Sequence, residues 1–496
     1  MAGTTVWVLG DQLNRAIGAL GETQPGDARV LMIESAAMIE GRPRHRQRLH
    51  LVITAMRRFA AELEDAGFEV DYRRADTLTT GLEDHRRRHA PDRVVATEPN
   101  GRAVGALLDR LDVETVRSNQ FLCHRDDFAA WAGDADQLRL EHFYRWQRKR
   151  LGYLMDGGKP AGGRWNHDHD NREPPPADGG GWPTPQTSAL DDLDREVIAA
   201  LPEAAPGAEP SGLWATSRRA ALARLKHFVD RVLPGFGPHE DAMLAGNWHL
   251  AHSLLSPCLN LGLLLPGEVC DAVEAAYRDG RVPINSAEGF IRQVIGWREF
   301  VWGIYWLWPG QAETNALDHR RQLPPSWQGT ASTDMRCLQT TLDDLEARGY
   351  VHHIQRLMIL SNFANLYGIR PQAVRSWMRD RYVDGADWVM GPNVLGMALW
   401  SDGGRMATKP YVSGGAYVDR MSDYCRGCPF DPKQRSGDRA CPFTTLYWDF
   451  LDRHRERLAG NFRLARQYHT LDRLQDLDGV RHRARAVIRR IREGTL

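Results

Sequence analysis

The chain of 496 residues has little lysine: only five of its 64 basic residues are Lys, the remaining 59 being Arg. The arginines are spread along the whole length, which reads as a compositional habit of the genome rather than as a nucleic-acid-binding tail. Net charge is also lacking, since 64 Asp and Glu balance 64 Lys and Arg. That excludes a polyelectrolyte binder, although a basic groove can sit within a neutral total. No apolar run approaches the ~20 residues of a membrane span. The opening MAGTTVWVLGDQLNR lacks the basic–apolar–small order of a signal peptide, so a cytoplasmic, soluble protein is expected. Seven cysteines are too few for a disulfide scaffold at this length. Cys123, Cys258 and Cys270 stand alone among apolar neighbours and read as buried thiols.

What the chain does have is a change of pattern along its length. Short β-rich runs at 5–10, 30–34, 68–75 and 93–99 alternate with helical patterns at 47–66 and 80–89. This spacing predicts a Rossmann-like α/β domain with a parallel sheet over residues 1–130. The loop GDQLN (10–14) follows the first strand, where such sheets place ligands, but no GxGxxG fingerprint is present. Residues 131–215 read as a linker and irregular segment, richest in Gly, Pro, Asn and Asp over 157–187. From 216 to 496 the pattern becomes all-helical, with amphipathic stretches at 216–232, 240–262, 266–279, 286–306, 336–366, 371–381, 443–457 and 471–493.

Two groups of residues carry chemistry. Cys425-Arg-Gly-Cys428 is followed by Cys441, and Cys337 supplies a fourth thiol from a distant helix. A CxxC pair turns two thiolates towards one metal, and four thiolates suit either zinc or an iron–sulfur cluster. Spacing alone leaves both open. In GYVHHIQRLM (349–358), His353 and Arg356 share one helix face. The aromatic stripe at 286–308 reads as core.

The segments GYVHHIQRLMILSNFANLYG, YVDGADWVMGPNVLGMALWSDGG, CRGC…CPF, HSLLSPCLNLG, IGWREF, GRWNHDHDNR and FGPHEDAM resemble, in order, those of photolyase-related proteins. The likeness is to the iron–sulfur bacterial cryptochromes and (6-4) photolyases, and it covers essentially the whole chain. It implies light-driven repair of (6-4) photoproducts in UV-damaged DNA, by electron transfer from FAD, in a monomer. His353 would be the proton donor, with His352 beside it and Tyr411 near the lesion. FAD would contact His252, Ser253, Leu254, Leu255, Ser256, Gln293 and Arg298, with the pyrophosphate at a helix N-terminus. Arg356 and Asp384 would flank the isoalloxazine. Met390 stands in the stretch facing flavin N5, where relatives often carry Asn, and Asn393 lies just beyond. Trp377 and Trp327 would conduct electrons; Met378 replaces a tyrosine common in relatives. Cys337, Cys425, Cys428 and Cys441 would hold a [4Fe–4S] cluster, and Asp168 and Asp241 a divalent cation such as Mg2+. In the α/β domain, Asp11 and Glu34 would contact a 6,7-dimethyl-8-ribityllumazine antenna. Ala37 or Met38 stands where a further acid is expected there. The rival readings are a cryptochrome-like photoreceptor on the same fold, a cyclobutane-dimer photolyase, and a non-catalytic zinc-bearing nucleic-acid binder. Histidine at 353 weighs against the cyclobutane reading, and a proton donor is superfluous for signalling alone.

Overall fold

The computed structural model describes residues 3–496. Five strands, β1 (Thr4–Trp7), β2 (Ala28–Ser35), β3 (Glu69–Ala75), β4 (Arg93–Thr97) and β5 (Glu114–Val116), form one sheet in the order β3-β2-β1-β4-β5. All four pairings are parallel. Strand β5 is the one the sequence reading missed; three residues with two exposed leave no periodic signal.

The central strands are apolar on both faces because helices cover both. Alternation along them splits the core in two. Val6, Val8, Val30, Met32 and Val95 pack with Leu51, Ala55, Met56 and Phe59 of helix Arg46–Asp65. Trp7, Leu9, Leu31, Ile33, Val94 and Ala96 pack with Leu82 and Leu108 of helices Leu78–His89 and Arg102–Arg110. The strand order reverses between β1 and β4, so the loops after these strands open the crevice where parallel sheets bind ligands.

The remainder is largely helical and has a large aromatic core that includes Phe128, Phe143, Phe300, Trp302 and Phe363. Two expected helices take a different form. Residues 240–262 give only the single-turn helix Ser256–Asn260. Asn247 explains part of this: its side-chain oxygen accepts the amides of His249 (3.2 Å) and Leu250 (2.8 Å), closing a turn against helix propagation. Leu250 and Leu254 then take left-handed backbone (φ 44° and 56°). The stretch 336–366 breaks at Gly349 (φ 65°), so Arg336–Arg348 ends there and a new helix begins at His353.

Besides a π-turn at Phe228–Val232, three helices widen into π-turns at Arg292–Arg298, Gln355–Ser361 and Gly391–Ala398. Such turns admit an extra residue and recur at functional sites. Here they carry Gln293, Arg298, Arg356 and Asn393.

Candidate functional site

The break at Gly349 allows His352 and His353 to face different ways. His352 is fully buried and stacks on His252, with ring centroids 4.4 Å apart and planes 10° from parallel. Neither His352 nitrogen has a partner, nor does Nε2 of His252. Burial pushes His252 down to about 3, helped by the neighbouring His353, and holds His352 well below the usual range. The stack is therefore neutral. His353 is accessible to solvent, three residues before Arg356. Burial first, and then the charge of Arg356, push it down to about 4.

Arg356 is fixed from every side. Its Nη1 donates to Asp384 Oδ1 (2.9 Å), its Nε to the Val351 carbonyl (2.7 Å), and its guanidinium lies 4.1 Å from the Tyr382 ring and 4.9 Å from Tyr350. Asp384 also accepts from Ser256 Oγ (2.7 Å), and its carbonyl accepts from Asn260 Nδ2 (3.0 Å). Segments far apart in sequence, 252–260, 350–356 and 382–384, thus meet in one network. Ser253 Oγ accepts the Leu255 amide (3.3 Å). Tyr350, Tyr382 and Asn260 were not singled out from sequence, since an aromatic or an amide beside an arginine gives no signal until the chain is folded.

Arg298 lies over Phe121 (3.9 Å) and Trp388 (5.2 Å), donates to Glu299 Oε1 (3.3 Å) and the Leu259 carbonyl (3.3 Å), and leaves Nε unpartnered. Burial pushes it down to about 10 and pushes Glu299 up to about 7. Gln293 Nε2 donates to Glu240 Oε1 (2.8 Å) and the Gly289 carbonyl (3.0 Å). Met390 is buried, and Asn393 Nδ2 donates back to the Val389 carbonyl (2.9 Å). Nearby, Asp168 is held by Arg292 (2.5 Å) and Arg172 (3.0 Å). Asp241 is pushed up to about 6 by burial, with Asp168 adding to the effect against opposing arginines. Tyr411 is partly exposed, and burial of its phenol raises it, again with Asp168 contributing. Glu240 and Arg292 belong to this cluster and went unnoticed in the sequence, where they look like helix-surface charges.

The four cysteines Cys337, Cys425, Cys428 and Cys441 line one pocket with Met335, Tyr424, Phe430 and Phe443. Burial, reinforced by the other three thiols, holds Cys337 well above the usual thiol range. No three of these sulfurs come within 4.8 Å of one another; among the described residues only Asp71, His85 and His89 form such a trio. A tetrahedral zinc with ~2.3 Å bonds needs sulfurs ~3.8 Å apart.

Trp377 and Trp327 are in contact, with centroids 4.4 Å apart, and Trp377 Nε1 donates to the Trp327 carbonyl (2.9 Å). Trp377 is partly exposed and Trp327 buried. In the sheet domain, Asp11 accepts from Asn100 (3.0 Å) and sits in the β1–β4 crevice, raised by burial. Glu34 ends β2 one strand away and is taken up by Arg57 (2.8 and 2.9 Å) and Tyr72 (2.7 Å). Asp11 and Glu34 share no hydrogen-bond partner.

Residues 6–208 match the family model described as "Deoxyribodipyrimidine photo-lyase-related protein". The chain is 40% identical to a (6-4) photolyase of Agrobacterium fabrum over 97% of both chains. It is 25% identical to a deoxyribodipyrimidine photo-lyase of the same organism over 35% of this chain and 36% of that one. In fold it is similar to a class III photolyase from Agrobacterium tumefaciens, with TM-score 0.61 and 17% identity over 99% and 98% of the two chains. A Synechocystis cryptochrome gives TM-score 0.54 and 13% identity over 80% and 83%. No helix among the described residues is long and apolar enough to cross a membrane.

Proposed function

The chain belongs to the photolyase-related family, and on that premise we propose that it repairs (6-4) photoproducts in UV-damaged DNA with light. The observation that carries the reading is the 40% identity to a (6-4) photolyase over nearly the whole of both chains. The family implies FAD, and the residues present suit it. Unpartnered buried nitrogens on His252, His352 and Arg298 suit a polar ligand, and the accessible His353 would line the lesion cavity beside the Arg356–Asp384 pair. FAD, when bound and reduced, supplies the light-driven electron.

The chain's own residues do the rest. Ser256, Asn260 and Arg356 lock Asp384, which fixes one charge pair beside the ring system. The buried neutral His252–His352 stack excludes water from that wall. His353 holds its proton exchange at an imidazole facing the cavity, where proton transfer to a bound lesion needs a group within hydrogen-bond reach. Its depressed affinity makes it neutral before DNA arrives; anionic DNA then raises that affinity and loads the proton at the site of use. Tyr411 offers a phenol at the cavity's outer rim. A damaged, poorly stacked base is the cheapest to turn out of a duplex.

Cys337, Cys425, Cys428 and Cys441 would hold a [4Fe–4S] cluster, a reading supported by the single pocket they line. Trp377 and Trp327 would carry electrons towards the flavin. Asp11 would contact a lumazine antenna in the β1–β4 crevice, whereas Glu34 is engaged by Arg57 and Tyr72. A cation at Asp168 and Asp241 would have to compete with Arg292 and Arg172.

The test is repair of an oligonucleotide carrying one (6-4) thymine dimer, with the flavin chemically reduced, under blue light and in darkness. Light-dependent return of the undamaged sequence is expected, together with inactivity on cyclobutane dimers. Absence of repair by flavin-loaded, reduced protein would refute the assignment.

A further inference from the structure

Four large apolar side chains stand exposed among the described residues, and two of them, Phe462 (79% exposed) and Tyr411 (37%), lie on loops bonded to each other. Asn461 makes the connection. Its Nδ2 donates to the Thr408 carbonyl (2.8 Å), three residues before Tyr411, while its Oδ1 accepts the Arg463 amide (3.0 Å) and caps the short turn Phe462–Leu464. Leu464 is buried and anchors the far end of that turn. Phe462 is therefore held out on a stapled, short support rather than left on a loose loop.

Its surroundings are cationic. The Arg463 guanidinium lies 5.3 Å from the Phe462 ring centroid, and Lys409, Arg463 and Arg466 form no ion pair among the described residues. Arg463 is also near enough to act on the Tyr411 phenol. A rigid exposed aromatic flanked by free cations matches a base stack with its phosphates, the pattern by which apolar wedges part DNA. A protein partner would more often be met by an apolar patch, and Phe462 stands singly.

We propose that Phe462 is a wedge that enters the duplex beside the lesion, filling the gap left when the damaged nucleotide turns towards Tyr411, with Arg463 and Lys409 on the flanking phosphates. The proposal rests on the repair reading above. It also explains why the staple is to the Tyr411 loop: wedge and rim would move as one unit.

A duplex with a single (6-4) lesion and the same lesion strand alone are the probes, compared by fluorescence anisotropy and by light-driven repair. Phe462→Ala should weaken duplex binding by about 5- to 100-fold, the range of one base–aromatic stack. Binding and repair of the single strand should stay within about twofold of wild type, because no gap opens in an unpaired strand. Phe462→Trp should restore the duplex. Unchanged duplex binding by Phe462→Ala, or equal losses on both probes, would overturn the wedge while leaving wild-type repair intact. Failure of the wild type to bind or repair either probe would overturn the repair reading and the wedge with it.

Discussion

The charge pair at the centre of the site sets a measurable demand on stability. Arg356 and Asp384 meet at 2.9 Å, and Asp384 is only 5% exposed. At an effective dielectric of ~20, unit charges about 4 Å apart attract by ~4 kcal/mol. Truncating Asp384 to Ala removes that attraction and leaves a guanidinium buried between Tyr350 and Tyr382 without its counter-charge. The Ser256 hydroxyl loses its acceptor as well. The expected loss is ~3–5 kcal/mol of unfolding free energy, the usual cost of breaking a buried pair from one side. Asp384→Asn keeps an acceptor for Ser256 and should fall between wild type and Ala. Arg356→Leu combined with Asp384→Leu should recover much of the loss, because no charge is then stranded. Urea unfolding at matched flavin occupancy, followed by tryptophan fluorescence, measures all four proteins. The reasoning fails if Asp384→Ala costs less than about 1 kcal/mol, or if the double variant is no more stable than Asp384→Ala.

Three further outcomes are expected. His252, His352 and His353 are all held below the unfolded value near 6.5, the first to about 3 and the last to about 4. Between pH 6.5 and about 4 the unfolded chain therefore binds protons that the folded chain does not, so stability falls as the pH is lowered through this window. Urea midpoints at pH 7 and pH 5 measure the slope, which His252→Gln should flatten; an unchanged slope would count against the buried neutral stack. Trp377→Phe should slow photoreduction of oxidised flavin while sparing repair by enzyme reduced beforehand, as transient absorption can follow. Cys428→Ser should lower bound iron and soluble yield together, since cluster ligation is coupled to folding.

The sheet was legible because its central strands are buried on both faces and write continuous apolar runs, as in Val30–Ile33. Strand β5 wrote none. The helical half was legible in class but not in its joints. Residues 240–262 contain apolar side chains at helical spacing, yet Asn247 and the left-handed Leu250 and Leu254 turn the same burial into a loop. Periodicity records that a residue is buried, whereas side-chain bonds to the backbone decide how the chain arrives there. The π-turns are a sharper case. One extra residue in a helix leaves the apolar stripe almost unaltered, yet it swings Arg298 and Arg356 to their partners.

The site shows where sequence motifs stop carrying information. His353, Arg356 and Asp384 could be picked out as residue types suited to the chemistry, but no single motif shows which neighbours the fold brings against them. Arg356 lowers His353, Tyr350 and Tyr382 enclose Arg356, and Ser256 and Asn260 hold Asp384. The Ser256 and Asn260 contacts to Asp384 span 128 and 124 residues, whereas His353 and Tyr350 lie on the same segment as Arg356. The cysteines illustrate the reverse. Their spacing in sequence leaves open whether all four share one site, whereas the fold brings Cys337 from a distant helix to line one pocket with Cys425, Cys428 and Cys441. Residue types name the chemistry available, and the folded distances select which of it the chain can perform.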